Sequence, residues 1–249
     1  MKIYIVNLPR FQERRDNILR ECARFELRAE IFPGVDGNDI TDAEFRKLIF
    51  EPDLNPIRKS VACCTLHHLD IYRDMIKKDL PLALILEDDS VFSLDPRPLL
   101  DALEQRPPDA PEVYLLTHRS NCYIASGKPR RIGAFRFYRG WNGVGSHGYV
   151  ITRSAAVNIC GFQAPIRCVC DWWKYFQLYD LIRFYVCEKE IIGLHAELGH
   201  SAASNLENDR FERDKVKKYL RHLRKQMPFR LKIRYFFRKL RYWHALRHQ

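Results

Sequence analysis

Residues 82–92 read LALILEDDSVF, an apolar run that breaks into three consecutive carboxylates. A short apolar run with so sharp a polar boundary predicts a strand buried on both faces, the kind that fills parallel sheets. Open α/β sheets bind ligands beyond the carboxyl ends of their strands, which puts Glu87, Asp88 and Asp89 at a crevice. Three neighbouring negative charges repel one another, and a strand end shielded from water raises the cost. A divalent cation removes that cost, and hard carboxylate oxygens suit Mg²⁺ or Mn²⁺. The other reading of the triplet is a solvated acidic turn after a strand.

The rest of the chain supplies neighbours for such a strand. Residues 2–8 (KIYIVNL) form a β-branched and aromatic run, hence a first strand, and residues 29–35 a second that ends at Asp36-Gly37. Further strands are predicted at 112–117, 135–138 and 149–152. Helices are predicted from about residue 10 to 25, over 61–77, within 96–111, and from a Ser154 cap to about 160. Thr41 and Glu44 have the spacing of a capping box for a helix through residue 49. Pro52 and Pro56 mark 51–59 as a loop, and 118–133 reads as a mobile connection. Strands alternating with helices predict a mainly parallel α/β sheet.

The chain has 249 residues, 46% of them apolar, enough for one substantial core. No segment approaches the ~20 apolar residues of a membrane-spanning helix. The N-terminus shows no apolar signal core, which predicts a cytoplasmic protein. The eight cysteines are scattered, and Cys168-x-Cys170 has the spacing of neither a zinc knuckle nor a redox pair. They read as reduced packing residues.

Charge is distributed unevenly. The net charge is +11, yet residues 213–249 alone carry +13, leaving −2 for residues 1–212. We therefore divide the chain into a globular domain, 1–212, and a basic helical tail, 213–249. In the tail, Val216, Tyr219, Leu220, Leu223 and Met227 recur at helical spacing. After Pro228, Phe229, Ile233, Phe236, Leu240 and Trp243 do the same among Lys and Arg. A basic amphipathic helix with aromatic residues suits an anionic membrane surface. The first tail helix is expected to pack at least partly on the body and the second to reach the membrane.

Four stretches, in order, resemble glycosyltransferase family 25, which includes bacterial lipooligosaccharide glycosyltransferases and collagen-modifying relatives. They are IYIVNLPRFQERRDNI (3–18), FPGVDG (32–37), CCTLHHLDIY (63–72) with the LALILEDDSVF run, and SHGYVITRSAA (146–156) followed by Val169-Cys170-Asp171. The likeness spans about residues 1–205. Two positions depart from the family pattern: Cys63 stands in place of a glycine, and His67 in place of the serine of a Ser-His pair, leaving His68 as the match.

The resemblance implies a GT-A-like fold, a Rossmann-type nucleotide half joined to an acceptor half. It further implies metal-dependent, inverting transfer of a hexose, galactose preferred, from a UDP-sugar to a lipooligosaccharide core sugar. On that footing Glu87 and Asp89 are assigned to the metal, since side chains two apart on a strand share a face unless the chain turns at once. Asp88 is then turned toward ribose or donor sugar. Asn7, Leu8 and Arg10, at the end of the first strand, are assigned to the nucleotide, with Arg14 toward a phosphate and Asp36 toward ribose or uracil. Arg14 and Arg15 read equally as an exposed helix face, and Asp36 as a simple Asp-Gly turn.

Asp171 is assigned as the base that takes the acceptor proton. The indoles of Trp172 and Trp173 beside it would serve as a sugar platform that raises its pKa. The competing role for Asp171 is a helix cap. His200, with His195 as the alternative, is the candidate third metal ligand, and His68 reads as a packed histidine supporting the site.

These assignments make the protein a peripheral enzyme of the inner membrane, with a UDP-hexose donor, a lipooligosaccharide acceptor and no nucleic-acid partner. The alternative is a nucleic-acid- or membrane-binding protein with an inactive sugar-nucleotide-binding body. A basic tail also suits phosphate backbones, but the body is slightly acidic and carries no helix-turn-helix, zinc-finger or RNA-binding signature. A metal-dependent phosphatase would need a nucleophilic Asp or further ligands in an identifiable motif.

Overall fold

The structure, a computed structural model, describes residues 1–105, 107–117, 128–195 and 210–247. The chain opens with β1 (Lys2–Asn7), α1 (Gln12–Arg24) and β2 (Ala29–Pro33). Next come α2 (Asp42–Leu48) and α3 (Lys59–Lys77), and then β3 (Leu82–Glu87). β1 pairs in parallel with β2 on one side and β3 on the other, Ile3 lying opposite both Ala29 and Leu84. The chain therefore winds outward in both directions from β1. In such sheets the crevice between the two diverging connections is where a ligand fits.

β4 (Ser90–Phe92), α4 (Arg97–Gln105), β5 (Glu112–Leu115), β6 (Arg130–Ile132), β7 (Phe135–Arg139) and β8 (Gly148–Thr152) follow. Then come α5 (Arg153–Phe162), α6 (Trp173–Leu178), β9 (Arg183–Cys187), β10 (Ile192–Leu194), α7 (Arg210–Gln226) and α8 (Phe229–Arg247). The main sheet has eight strands in the order β2-β1-β3-β8-β5-β9-β7-β6, and β4 pairs separately with β10. The strand directions follow from the pairings: β7 and β8 run against the other six. The α/β architecture and the mostly parallel sense of the sheet are as expected. The antiparallel insertion of β8 between β3 and β5 was not expected.

β3 shows why the sheet is covered on both faces. Leu82, Leu84 and Leu86 point into a core with Ile18 and Cys22 of α1 and Leu99 and Leu103 of α4. Ala83 and Ile85 point into the opposite core, with Leu69 and Tyr72 of α3 and Ala155 and Ile159 of α5. Each such buried Leu or Ile contributes about 1.5–3 kcal/mol by leaving water. The result is a three-layer sandwich.

The capping box at α2 forms as its spacing predicts, with Thr41 Oγ1 accepting from the Glu44 N–H. α5 is a correction: its cap is Thr152, whose Oγ1 accepts from the Ala155 N–H at 3.3 Å, not Ser154. In the tail, Tyr219 and Leu223 of α7 enter the α3-side core. Tyr219 Oη donates to the Arg167 carbonyl and accepts from Asn55 Nδ2, both at 3.0 Å. α8 instead turns Arg234 and Arg238 onto Asp180 and leaves Phe229, Ile233, Phe236, Phe237 and Leu240 exposed. No helix among the described residues is long and apolar enough to cross a membrane.

Candidate active site

β1 and β3 end side by side, Val6 opposite Glu87, so Asn7 and the carboxylate triplet meet where the sheet diverges. β3 stops at Glu87, and Asp88 and Asp89 turn before β4 starts at Ser90. The strand alternation that paired Glu87 with Asp89 therefore holds no further than Glu87. Asp88 accepts from Asn7 Nδ2 at 2.8 Å and from Arg14 Nη1 at 3.0 Å, and Arg14 Nη2 lies 3.5 Å from Asp89 Oδ2. Arg14 is thus no exposed helix-face residue but a largely covered partner of the triplet. Arg15 does lie on the surface, paired with Asp16.

Arg10 pairs with Asp36, whose other oxygen accepts from the Asn38 N–H at 3.0 Å. Asp36 is therefore both a turn residue and the anchor of Arg10. Leu8, half-buried, accepts through its carbonyl from the Phe11 N–H at 2.9 Å and so shapes the turn into α1.

Glu87 has different partners. It accepts from Ser146 Oγ, and its Oε1 lies 3.5 Å from His68 Nε2. Burial opposes its charge, but His68 and Ser146 more than offset that and hold its pKa below the usual carboxylate range. Burial and then the charge of Glu87 push Asp89 up to about 7, and burial raises Asp88 as well. Asp89 Oδ1 is buried with no hydrogen-bond partner. That orphaned oxygen and the uncompensated charge around it fit a divalent cation. A Mg²⁺- or Mn²⁺-type ion needs only one or two protein carboxylates when substrate phosphates complete its shell.

Asp171 reaches the same crevice through the loop before β8. It does not cap α6, whose N-cap is Trp172 with no side-chain hydrogen bond. Its Oδ2 instead accepts from the Gly145 N–H at 2.9 Å, one residue before Ser146, the partner of Glu87. Gly145 has φ +98°, a conformation that favours glycine, so the loop offers this N–H at little strain. Burial, then the charges of Cys170 and Glu87, push Asp171 up to about 7. Trp173 corrects the sugar-platform expectation. It is fully buried, packs edge-on against Tyr149 at 4.9 Å and donates from Nε1 to the Gly145 carbonyl. Only the half-buried Trp172 retains an exposed edge beside Asp171.

His200 lies outside the described residues. The other late histidine, His195, is brought to the triplet by its backbone, its N–H donating to the Asp89 carbonyl at 2.8 Å. The β4–β10 pairing, which the sequence reading lacked, makes that approach. His68 is fully buried and part of a chain of polar groups: its Nδ1 meets Tyr149 Oη at 2.8 Å, and Tyr149 Oη meets Tyr72 Oη at 2.6 Å. Tyr72, Tyr149 and Ser146 were not singled out from the sequence. All three lie inside the stretches that resemble the family, 63–72 and 146–156, and the i, i+4 spacing of His68 and Tyr72 on α3 is a second signal for Tyr72.

An α/β crevice with carboxylates at the sheet's divergence and a further carboxyl group across a glycine loop defines a ligand-binding, enzyme-type site. The chain belongs to glycosyltransferase family 25: the family model described as "Glycosyltransferase family 25 (LPS biosynthesis protein)" matches residues 1–172. Human procollagen galactosyltransferase 2 is 25% identical over 126 residues, 46% of this chain and 20% of the relative. A glycosyltransferase 25 family member of Aedes aegypti is 32% identical over 98 residues, 36% of this chain and 16% of the relative. The chain thus matches a fifth or less of the length of these relatives. Among solved structures, a Bacillus anthracis protein described as a glucose-1-phosphate thymidylyltransferase aligns with a TM-score of 0.43 at 10% identity, covering 86% of this chain and 96% of that one.

Proposed function

We propose that the protein transfers a hexose, galactose by preference, from a UDP-sugar to a core sugar of a lipooligosaccharide, with inversion and with help from Mn²⁺ or Mg²⁺. The observation that carries this reading is the opposition of two kinds of carboxyl group across the Gly145–Ser146 turn. On one side stand Glu87 and Asp89, suited to a diphosphate and its cation; on the other stands Asp171.

Asn7 and Arg14 hold Asp88 in place at the end of β1, where the nucleotide half of the crevice lies. Arg10 and Asp36 form its rim. Glu87 and Asp89 would hold the cation, which when bound supplies positive charge against the departing diphosphate. Asp171 takes the proton from the acceptor hydroxyl as that oxygen attacks the anomeric carbon. The bond from that carbon to UDP breaks, and its electron pair leaves on the phosphate. A carboxyl with a pKa near the working pH is well matched to this task. The apolar stripe of α8, flanked by Lys and Arg, supports attachment to the anionic membrane surface that would carry such an acceptor.

Asp171→Asn tests the assignment. The variant should bind UDP with metal as the wild type does, measured calorimetrically, and lose transfer by about 10²-fold or more, within the range removal of a general base costs. Near-normal turnover would rule Asp171 out as the base.

A further inference from the structure

Behind the carboxylates lies a second constellation that the transfer reaction does not use. Cys64 and His68, one turn apart on α3, converge with Cys170 from the loop before α6, and their ligand atoms lie within 4.8 Å of one another. No other described trio of His, Cys, Asp or Glu converges so closely, the carboxylate triplet included. Cys170 and His68 are buried, while Cys64 is partly exposed.

The histidine is oriented for ligation. Its Nδ1 is engaged by Tyr149 Oη at 2.8 Å, which fixes the ring. Its Nε2 is buried without a hydrogen-bond partner, with Glu87 Oε1 3.5 Å away. One ring nitrogen is tied to a neighbour, as in metal-ligating histidines; the other sits in ion-pair range of Glu87 and beside Cys170, so a bound metal would displace its proton. Two sulfurs and an imidazole nitrogen form a soft donor set that selects zinc over magnesium or manganese.

We propose that Cys64, His68 Nε2 and Cys170 bind a thiophilic divalent cation, zinc in the first instance, with the open fourth position facing Glu87. Tetrahedral zinc sites place such donors about 3.3–3.8 Å apart, following from bonds of roughly 2.3 Å to sulfur and 2.0–2.1 Å to nitrogen. Small side-chain adjustments therefore close the site. Binding releases the Cys64 thiol proton and the proton held between Cys170 and His68, and forms two sulfur–metal bonds and one nitrogen–metal bond, with no change of oxidation state. The ion would clamp the segment preceding Asp171 to α3. Metal binding itself is independent of the transferase reading; only its consequence for Asp171 rests on that reading.

The test uses the full chain, reduced, with no sugar substrate present. Zinc released by thiol modification should reach about one ion per chain. Titration with Co²⁺ should give the sulfur-to-cobalt charge-transfer band and the strong visible bands of a four-coordinate ion. Cys64→Ser and Cys170→Ser should each abolish both signals, and Tyr149→Phe should weaken zinc binding about 10–100-fold. Should the serine variants fail to fold, the cobalt spectrum of the wild type decides alone. A folded wild type without thiolate–cobalt bands would overturn the proposal. So would zinc retained equally by both serine variants, or a Cys64–Cys170 disulfide found as the stable state of the untreated protein. Loss of transfer with zinc bound normally would count against the transferase reading and not against this one.

Discussion

Tyr149 is the joint of the buried polar chain beneath the site, so removing its hydroxyl should be costly out of proportion to its size. Tyr149→Phe takes away one oxygen and leaves two others stranded: Tyr72 Oη, 2.6 Å away, and His68 Nδ1, 2.8 Å away. All three residues are 1% exposed or less, so water does not replace the missing partner. Each of the two buried polar groups left unsatisfied costs about 1–3 kcal/mol, which puts the substitution at roughly 2–6 kcal/mol. Tyr72→Phe removes the other end of the same bond but leaves Tyr149 on His68, and should cost only about 1–2 kcal/mol.

In the double variant the Tyr72 hydroxyl is no longer there to be stranded. Its cost should therefore fall short of the sum by about 1 kcal/mol, a coupling in the range seen for residues in direct contact. Urea unfolding at constant m-value measures all three. A Tyr149→Phe cost below about 0.5 kcal/mol, against the 1–3 kcal/mol expected per stranded group, would refute the reasoning. Strict additivity in the double variant would refute it as well.

Two further substitutions probe the motifs. A methyl group on Gly34 would sit 2.1 Å from His67 Nδ1, and that ring is buried and meets the Phe32 carbonyl at 2.6 Å. Gly34→Ala should cost about 2–4 kcal/mol by overpacking and by loss of that bond, read as a lower denaturation midpoint. The same change in a His67→Ser background should cost under about 1 kcal/mol because the space is then free. Removing residues 228–249 discards the exposed stripe of α8 but spares the Tyr219 and Leu223 anchor of α7. Transfer to a soluble acceptor should survive while sedimentation with anionic liposomes falls; unchanged sedimentation would count against the membrane role.

Much of the N-terminal part of the sheet was legible because its signals are local. The apolar run before Glu87 specifies a buried strand, and each face of that strand finds its own core. The Thr41–Glu44 spacing specifies its cap. Residues of the four motifs also pair with one another: Arg14 and Asn7 with Asp88, Arg10 with Asp36, and Ser146 with Glu87.

What escaped the sequence depends on partners distant along the chain. The short strands β4 and β10 have no pattern of their own, and they exist because Ser90 to Phe92 and Ile192 to Leu194 meet. Trp172 and Trp173 are neighbours in sequence, yet the turn of α6 buries one fully and leaves the other half-buried. The Cys64–His68 spacing was visible, but its meaning needs Cys170, which belongs to a different motif and looked like half of a mis-spaced pair with Cys168.

Metal-dependent transfer from a UDP-sugar is measured as release of UDP from a panel of UDP-sugars. The assay is run with and without Mn²⁺ and with a truncated lipooligosaccharide acceptor. Release is expected from one donor, UDP-galactose first, rising when acceptor is added and stopping when the metal is chelated. Release indifferent to metal and acceptor, or none from any UDP-sugar, would contradict it.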